Sequence, residues 1–273
     1  MNPNRELWEK GDFSRLAATM RASSDALVEQ LGVTAGMQVL DLACGDGATA
    51  LPMARRGADV LGVDIARNLV AAAQARAAAE GLANCRIVEG DACDLSDLAD
   101  NRFDLTVSIF GAMFAPRPVD AAREMVRVTR PGGRIVMGNW IPGDPSMAAQ
   151  ILKLLSEYGP PPPEGFVPPT AWGVEANVID RFGQAGIPAG AIFMEPAFYE
   201  FHLDQPPSAL LDIFVTYFGP VMRVFESLGD GARADELRAR MGDLIARENR
   251  SGDDRTDIRA RYLLVTVRVP PVA

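Results

Sequence analysis

Short apolar runs alternate with helix-like stretches between residues 37 and 140, and this alternation restricts the fold more than any other feature. We predict five strands here, at Gln38–Ala43, Asp59–Asp64, Arg86–Gly90, Asp104–Phe110 and Arg134–Trp140. The intervening stretches are alanine-rich or carry apolar residues at helical spacing, and they predict helical elements at Gly47–Arg56, Arg67–Glu80, Asp94–Leu98 and Val119–Arg130. Strands that are apolar on both faces and separated by helices are typical of a doubly wound parallel α/β sheet.

The flanking segments predict further helices and two more strands. Apolar residues at helical spacing from Leu16 to Leu31 predict one helix over residues 14–31, which ends at Gly32. The proline-rich segment Gly159–Pro169 predicts an irregular loop, because proline lacks an amide donor and has a fixed φ. Beyond it we predict a helix at Glu175–Gly186, a strand at Ala191–His202, helices within Ser208–Leu228 and Ala232–Asn249, and a strand at Tyr262–Val269.

Charge and composition exclude several classes of function. The 27 basic and 36 acidic residues give a net charge of −9, which disfavours a nucleic acid partner. With one histidine and three cysteines that form no CxxC pair, we expect no metal site. No run of about 18 uncharged apolar residues predicts a membrane span, and the charged N-terminal residues do not form a signal peptide. We therefore expect a soluble cytoplasmic protein.

A glycine-containing turn joins the first predicted strand to the following helix, in the sequence from Val39 to Ala50. Gly45 and Gly47 allow a tight turn and the close approach of a ligand to bare backbone. The helix start offers unpaired amides. Asp64 ends the next strand, where a carboxylate can accept hydrogen bonds from both hydroxyls of a ribose. These features predict a nucleotide-like ligand.

Two further carboxylates indicate the charge of that ligand. Asp41 lies four residues before Gly45, where it would repel a pyrophosphate and attract an ammonium or sulfonium group. Asp91 follows the third strand and is placed to accept a hydrogen bond from an adenine amino group. Because the carboxyl ends of parallel strands meet at one edge of the sheet, the sequence predicts an adenosine that carries positive charge.

Five segments together resemble a known family. They are VLDLACGDG (39–47), GVDIARNLV (62–70), EGDA (89–92), FDLTVSIFG (103–111) and EMVRVTRPGGRIVMGNW (124–140). With these segments the chain resembles class I S-adenosylmethionine-dependent methyltransferases, of the small-molecule type related to ubiquinone and menaquinone biosynthesis methyltransferases. The resemblance implies a seven-stranded Rossmann-like sheet whose last strand is antiparallel, S-adenosylmethionine as cofactor, and methyl transfer to an O, N or C atom of a small molecule.

The resemblance also implies a division of the chain. Residues 1–273 would form one domain, with an N-terminal helical lid at 1–36 and a cofactor-binding core at 37–140. Residues 141–273 would supply the substrate-side helices, a cap insertion at 207–250 and the last strands.

The family pattern further implies which residues contact the cofactor. Its amino-acid part would face Asp41 and the backbone of the turn, at Ala43, Cys44, Gly45 and Gly47. Its adenosine would contact Asp64 at the ribose and Ile65, Asp91 and Ala92 at the adenine, and Phe110 would line the methionine portion. Ala43 departs from the family, which often has glycine at this position.

Several aromatic and apolar residues are candidates for an acceptor pocket. They are Phe110, Met113, Phe114, Trp140, Trp172, Tyr199, Phe201, Tyr217 and Phe218. Phe114 and Trp140 are the preferred substrate residues, because they follow the fourth and fifth strands at the ligand-binding edge. Trp8 and Phe13 are candidates for a lid, and the only histidine, His202, is a candidate general base.

Three alternatives remain open on the sequence. A nicotinamide-dependent reductase would share the glycine turn and Asp64, although no lysine follows a tyrosine at the Tyr-x-x-x-Lys spacing. A cofactor-binding module without catalysis would share the whole site. A nucleic-acid methyltransferase would share the fold, but the net charge and the sequence Ser108–Gly111 after the fourth strand disfavour it.

Overall fold

A single seven-stranded sheet forms the centre of the protein in a computed structural model, which describes residues 4–271. The strands are β1 (Gln38–Leu42), β2 (Asp59–Asp64), β3 (Cys85–Glu89), β4 (Phe103–Ile109), β5 (Thr129–Trp140), β6 (Ile192–Leu203) and β7 (Thr256–Arg268). Their order across the sheet is β3-β2-β1-β4-β5-β7-β6. Only β7 runs antiparallel to its neighbours, β5 and β6. The predicted doubly wound α/β fold with an antiparallel last strand is confirmed.

Helices cover both faces and one edge of this sheet. They are α1 (Arg5–Glu9), α2 (Phe13–Ala18), α3 (Arg21–Gln30), α4 (Ala50–Arg55), α5 (Arg67–Ala79), α6 (Pro118–Val128), α7 (Met147–Tyr158), α8 (Glu175–Gln184), α9 (Pro207–Tyr217), α10 (Gly219–Leu228) and α11 (Ala232–Glu248). The last three form an insertion between β6 and β7. In the part of the chain that the structure describes, no single helix is long and apolar enough to cross a membrane; the pair α9 and α10 passes that test only together, across a bend of 78°.

Apolar side chains in the parallel strands form the centre of the core. In β1 every residue after Gln38 is buried, and α6 packs the face that carries Ala122, Met125 and Val128 onto the sheet. The strand order reverses direction at β1 and β4, which are neighbours although they are not consecutive. In such sheets a crevice forms at the carboxyl ends of the strands where the order reverses. The fold therefore places a ligand-binding crevice beyond Leu42 and Ile109.

Several predicted elements differ from the observed ones. The single helix predicted over 14–31 is wrong, because the chain turns at Thr19 and Met20 between α2 and α3. The Thr19 hydroxyl donates to the Leu16 carbonyl at 2.7 Å and caps the end of α2. The element predicted at Asp94–Leu98 consists of turns, and helices α1 and α7 were not predicted. Strands β5 and β7 begin earlier than predicted.

The edge strand β6 is protected along most of its outer side. The amide of Glu200 donates to the Ser23 hydroxyl at 2.8 Å, and the amide of His202 donates to the Thr19 carbonyl at 2.7 Å. Pro196, at an alternate position of the same strand, has no amide hydrogen. The region between α2 and α3 is thereby attached to β6.

Candidate active site

A cleft opens at the carboxyl ends of β1, β2 and β4. Its floor comes from the strand ends and the turns that follow them, and its roof comes from α1 to α3. Of the ten predicted cofactor residues, eight line it: Asp41, Ala43, Cys44, Gly45, Asp64, Ile65, Ala92 and Phe110. Phe114 from the region after β4 also lines it, as do the predicted lid residues Trp8 and Phe13.

The turn after β1 has a left-handed backbone at three positions. Ala43, Gly45 and Gly47 have φ values of 56°, 56° and 78°. For Ala43, which has a Cβ, this conformation costs about 1 kcal/mol. Helix α4 begins only at Ala50, three residues after Gly47, so Gly47 shapes the turn and does not itself line the cleft.

A second turn after β4 packs directly on the first. A Cβ at Gly111 would lie 2.4 Å from the Ala43 carbonyl oxygen, so only glycine fits there. The Ser108 hydroxyl joins the two turns, because it donates to the Leu42 carbonyl at 2.7 Å and accepts from the Ala112 amide at 2.9 Å. Sequence reasoning missed this role of Ser108, since a serine inside an apolar strand has no distinctive pattern.

Asp41 is a buried carboxylate at the base of the cleft. Its side chain is almost inaccessible to solvent, and Oδ2 has no hydrogen-bond partner. Burial raises the pKa of Asp41 from its usual 3.8 to about 8, and the negative charge of Asp64 adds to this rise. A buried carboxyl oxygen without a partner is suited to a cationic ligand.

Asp64 is fixed at the end of β2 by backbone donors. Its Oδ2 accepts from the Gly45 amide at 2.7 Å, and its Oδ1 accepts from the Ala66 amide at 2.9 Å. Burial raises the pKa of Asp64, and these hydrogen bonds oppose that rise. The carboxylate therefore connects the ends of β1 and β2 in a fixed orientation.

Asp46 anchors the glycine turn from its other side. It is buried and accepts from Arg21 Nη2 at 2.5 Å, and Arg76 Nη1 lies 3.4 Å from the same oxygen. The two arginines come from α3 and α5, so this residue links the turn to two helices. Asp46 stands within the quoted motif, but its partners are distant in sequence and have no recognisable signal.

Aromatic rings from three regions meet above the cleft. Trp8 of α1 lies with its ring centroid 4.9 Å from Phe114, 5.8 Å from Phe13 and 5.9 Å from Phe218. Phe218 comes from the junction of α9 and α10. We call Trp8, Phe13, Phe114 and Phe218 the aromatic cluster.

The N-terminal segment, residues 4–18, is attached to both sides of the cleft. Arg67 at the start of α5 donates to Glu9 at 2.7 Å, and this hydrogen bond lowers the pKa of Glu9 to about 2. On the opposite side, Lys10 pairs with Glu226 of α10 at 2.7 Å. Arg5 also pairs with Glu89 at the end of β3.

The N-terminal segment and helices α9 and α10 touch through backbone. A Cβ at Gly11 would lie 2.1 Å from the Tyr217 carbonyl oxygen, and one at Gly219 would lie 2.0 Å from the Leu7 carbonyl oxygen. Glycine at both positions is therefore required for this close approach.

Besides Gly47, two predicted site residues lie beside the cleft and do not line it. Asp91 accepts from the Cys93 amide at 2.9 Å, which stabilises the turn after β3, while its neighbours Gly90 and Ala92 line the cleft. The second is Trp140, a preferred substrate residue. Trp140 stacks on Phe110 with a centroid distance of 3.8 Å and supports that ring from behind.

His202 lies outside the cleft, contrary to its candidate role as a base. Its side chain is about half exposed, with Nε2 3.3 Å from Glu200 and Nδ1 3.4 Å from Asp257. Strand β6 alternates its faces, so that Tyr199 and Phe201 point inward and His202 points to solvent.

The three cysteines are free thiols, and burial raises the pKa of each. Among residues 4–271, no group of three or more histidine, cysteine or acidic side chains could hold a metal ion.

Comparisons with known proteins agree with this geometry. The methyltransferase domain family matches residues 40–137. An uncharacterized protein of Mycobacterium tuberculosis is 32% identical over 267 residues, which cover 96% of this chain and 93% of the relative. The demethylmenaquinone methyltransferase of Paenarthrobacter aurescens is 35% identical over 114 residues, 42% of this chain and 43% of that protein. This chain belongs to the class I S-adenosylmethionine-dependent methyltransferases.

A solved structure shows the same fold in another methyltransferase. Phosphoethanolamine N-methyltransferase 2 of Haemonchus contortus, in complex with phosphomonomethylethanolamine and S-adenosylhomocysteine, aligns with a TM-score of 0.61. It covers all of this chain and 61% of its own, at 16% identity, so the likeness concerns the fold. The relation to menaquinone-type methyltransferases rests on the Paenarthrobacter protein and is confined to less than half of the chain.

Proposed function

We propose that this methyltransferase transfers the methyl group of S-adenosylmethionine to a small apolar molecule with an aromatic ring. The observation that carries the proposal is the division of one cleft into two ends. Asp41 and Asp64 form a carboxylate end at β1 and β2, and Trp8, Phe13 and Phe114 of the aromatic cluster line an apolar end under α1 and α2.

The carboxylate end fits the cofactor. Asp41 has a buried oxygen without a partner, which suits the positively charged amino-acid part of the cofactor. Asp64 is held by backbone amides in a position to accept from ribose hydroxyls, and Ile65 and Ala92 provide apolar contacts for the adenine. In this proposal Asp91, beside Ala92, accepts a hydrogen bond from the adenine amino group.

The N-terminal segment acts as a lid in this proposal. Its ion pairs reach the core at Arg67 and Glu89 and reach α10 at Glu226. In the division we propose, residues 1–36 form the lid, 37–140 the cofactor-binding core and 141–273 the substrate side with its insertion at 207–250. Residues 1–3, 272 and 273 lie outside the described residues.

Catalysis then depends on positioning and on the exclusion of water. The bound cofactor supplies an activated methyl group on a sulfonium, so no protein nucleophile is needed. The aromatic cluster holds the acceptor against this group and keeps water out, and an apolar environment favours the reaction because positive charge leaves the sulfonium. The lid residues Trp8 and Phe13 complete the enclosure.

Calorimetric titration tests the cofactor half of the proposal. S-adenosylmethionine and S-adenosylhomocysteine should bind in the micromolar range, and Asp64→Ala should weaken binding roughly 100-fold, because two charge-assisted hydrogen bonds are lost. Asp59→Ala, at the exposed start of the same strand, is the matched control and should bind normally. Thermal denaturation of Asp64→Ala beside the wild type guards against a folding defect, because the lost carboxylate also accepts from the Gly45 and Ala66 amides.

NAD binding in place of S-adenosylmethionine would contradict the assignment of the cofactor site. The acceptor half is tested by transfer of a radiolabelled methyl group to a panel of naphthols, phenols, aromatic amines and polar aliphatic compounds. Labelling of the aliphatic compounds alone would contradict an aromatic acceptor.

A further inference from the structure

A pair of hydroxyl groups lines the cleft apart from its carboxylates. Tyr199 of β6 and Ser24 of α3 are both buried, with 3% and 1% exposure, and both line the cleft. The Tyr199 hydroxyl lies 2.7 Å from the Ser24 Oγ. Neither residue belongs to the segments between 39 and 140 that carry the family resemblance.

The pair retains unused hydrogen-bonding capacity. Two hydroxyls bring two hydrogens and four lone pairs, and their mutual contact uses only one hydrogen. Within residues 4–271, the one further contact of either hydroxyl, from Ser24 Oγ to the Met20 carbonyl, is long at 3.4 Å. If Ser24 donates to Tyr199, the tyrosine hydrogen is available; if Tyr199 donates to Ser24, lone pairs on the tyrosine oxygen are available. A ligand hydroxyl, which both donates and accepts, matches either arrangement.

Tyr199 is held as a neutral hydrogen-bonding group. Burial raises the pKa of Tyr199, and the negative charge of Asp41 contributes to this rise. The side chain is also fixed, because its ring meets Phe110 edge-on at 4.9 Å. A fixed neutral phenol orients a ligand but does not remove its proton near pH 7.

Two polar side chains at the carboxylate end are already paired within the protein. Asp46 is paired with Arg21 and Arg76, and Asp64 is bonded to backbone amides. Tyr199 and Ser24 come instead from β6 and α3, which carry none of the predicted cofactor residues. This origin favours the second substrate as the ligand of the pair.

We propose that the Ser24–Tyr199 pair hydrogen-bonds an oxygen atom of the acceptor and selects hydroxylated aromatic acceptors over unsubstituted ones. This inference rests on the proposed function. Tyr199 acts as a specificity-determining residue, and Ser24 orients its hydroxyl.

The test compares 1-naphthol with naphthalene as probes of the protein saturated with S-adenosylhomocysteine. Wild type should bind 1-naphthol roughly three- to tenfold more tightly, as expected for one net hydrogen bond. Tyr199→Phe should abolish this preference, and Ser24→Ala should reduce it. Tyr262→Phe is the matched control, because Tyr262 is equally buried and meets Phe110 edge-on at 5.2 Å but does not line the cleft.

Three results would overturn the inference in distinguishable ways. If the wild type binds both probes equally, or Tyr199→Phe keeps the preference for 1-naphthol, the hydroxyl pair does not recognise the acceptor. The proposed function stands in that case. If Tyr199→Phe weakens S-adenosylhomocysteine binding and Tyr262→Phe does not, the pair belongs to the cofactor site. If neither probe binds although the cofactor product does, the aromatic acceptor class fails together with this inference.

Discussion

The two ends of the cleft are built in different ways. The carboxylate end consists of Asp41, Asp64 and a turn whose backbone bonds hold them, all within one stretch of 24 residues from 41 to 64. The aromatic cluster takes its four rings from α1, α2, the turn after β4 and the junction of α9 and α10. Local backbone geometry fixes the first end, whereas the second exists only after distant segments have packed together. We therefore expect the two ends to respond differently to substitution.

The largest effect should come from the contact that both ends share. Gly111→Ala would place a methyl group 2.4 Å from the Ala43 carbonyl oxygen and displace both the glycine turn and the segment leading to Phe114. We expect a loss of about 3 kcal/mol in the free energy of unfolding, measured by urea denaturation. Gly183→Ala is the control, because it lies in α8 with no neighbour within 4 Å and should gain up to about 1 kcal/mol. Equal stability of the two variants would contradict the tight packing of the turns.

A second variant tests the carboxylate end through the dependence of the free energy of unfolding on pH. The pKa of Asp41 is about 8 in the folded protein and near 3.8 when unfolded, so the folded state binds the proton more tightly. Stability should therefore fall as pH rises between these values, by up to about 1.4 kcal/mol per pH unit. Asp41→Asn cannot titrate, and the free energy of unfolding should decline less steeply between pH 5 and 8. The exposed control Asp59→Asn should leave the dependence of the free energy of unfolding on pH unchanged. The same unchanged dependence in Asp41→Asn would show that Asp41 is ionised in the folded state.

A third variant weakens the aromatic end alone. Trp8→Leu removes three ring contacts that must break before the cleft opens. We expect release of S-adenosylhomocysteine to become about tenfold faster with little change in its association rate, since aromatic pairs contribute about 0.5–1.5 kcal/mol each. Rapid filtration with radiolabelled ligand measures both rates. The control is Phe166→Leu in the exposed proline-rich loop, which should release S-adenosylhomocysteine at the wild-type rate. Release at the wild-type rate from Trp8→Leu would contradict a role of the aromatic cluster in retaining this ligand.

The smallest effect should follow from the ion pair that attaches the lid to α5. Glu9→Gln removes the charge opposite Arg67, and we expect ligand release to become about twofold faster at low salt. The difference should vanish at high salt, because exposed charges are screened. With the pKa of Glu9 lowered to about 2, the effect should be constant from pH 5 to 8. The exposed Glu6→Gln on the same helix is the control, and a salt-independent effect would contradict an electrostatic attachment.

The difference between the two ends of the cleft also explains which structural features the sequence predicts. The strand Asp59–Asp64 was predicted with its observed bounds, and the carboxylate end was predicted residue by residue, because motif, strand end and turn are adjacent in sequence. Tyr199 was recognised only as one of nine pocket candidates, since nothing in the sequence indicates its contact with Ser24, 175 residues away. His202 is a candidate base only by its chemistry, and the face of β6 on which it lies depends on register, which the sequence does not mark.

The backbone contacts of Gly11 with Tyr217 and of Gly219 with Leu7 also affect the order in which parts of the protein fold during synthesis. The N-terminal segment is synthesised before α9 and α10, so the surface on which it packs is completed only when residue 228 has emerged. A nascent chain that ends before α9 has all the strands of the parallel half of the sheet but lacks the backbone contacts of Gly11 and Leu7. Closure of the cleft is therefore a late step of folding, dependent on contacts between segments some 200 residues apart.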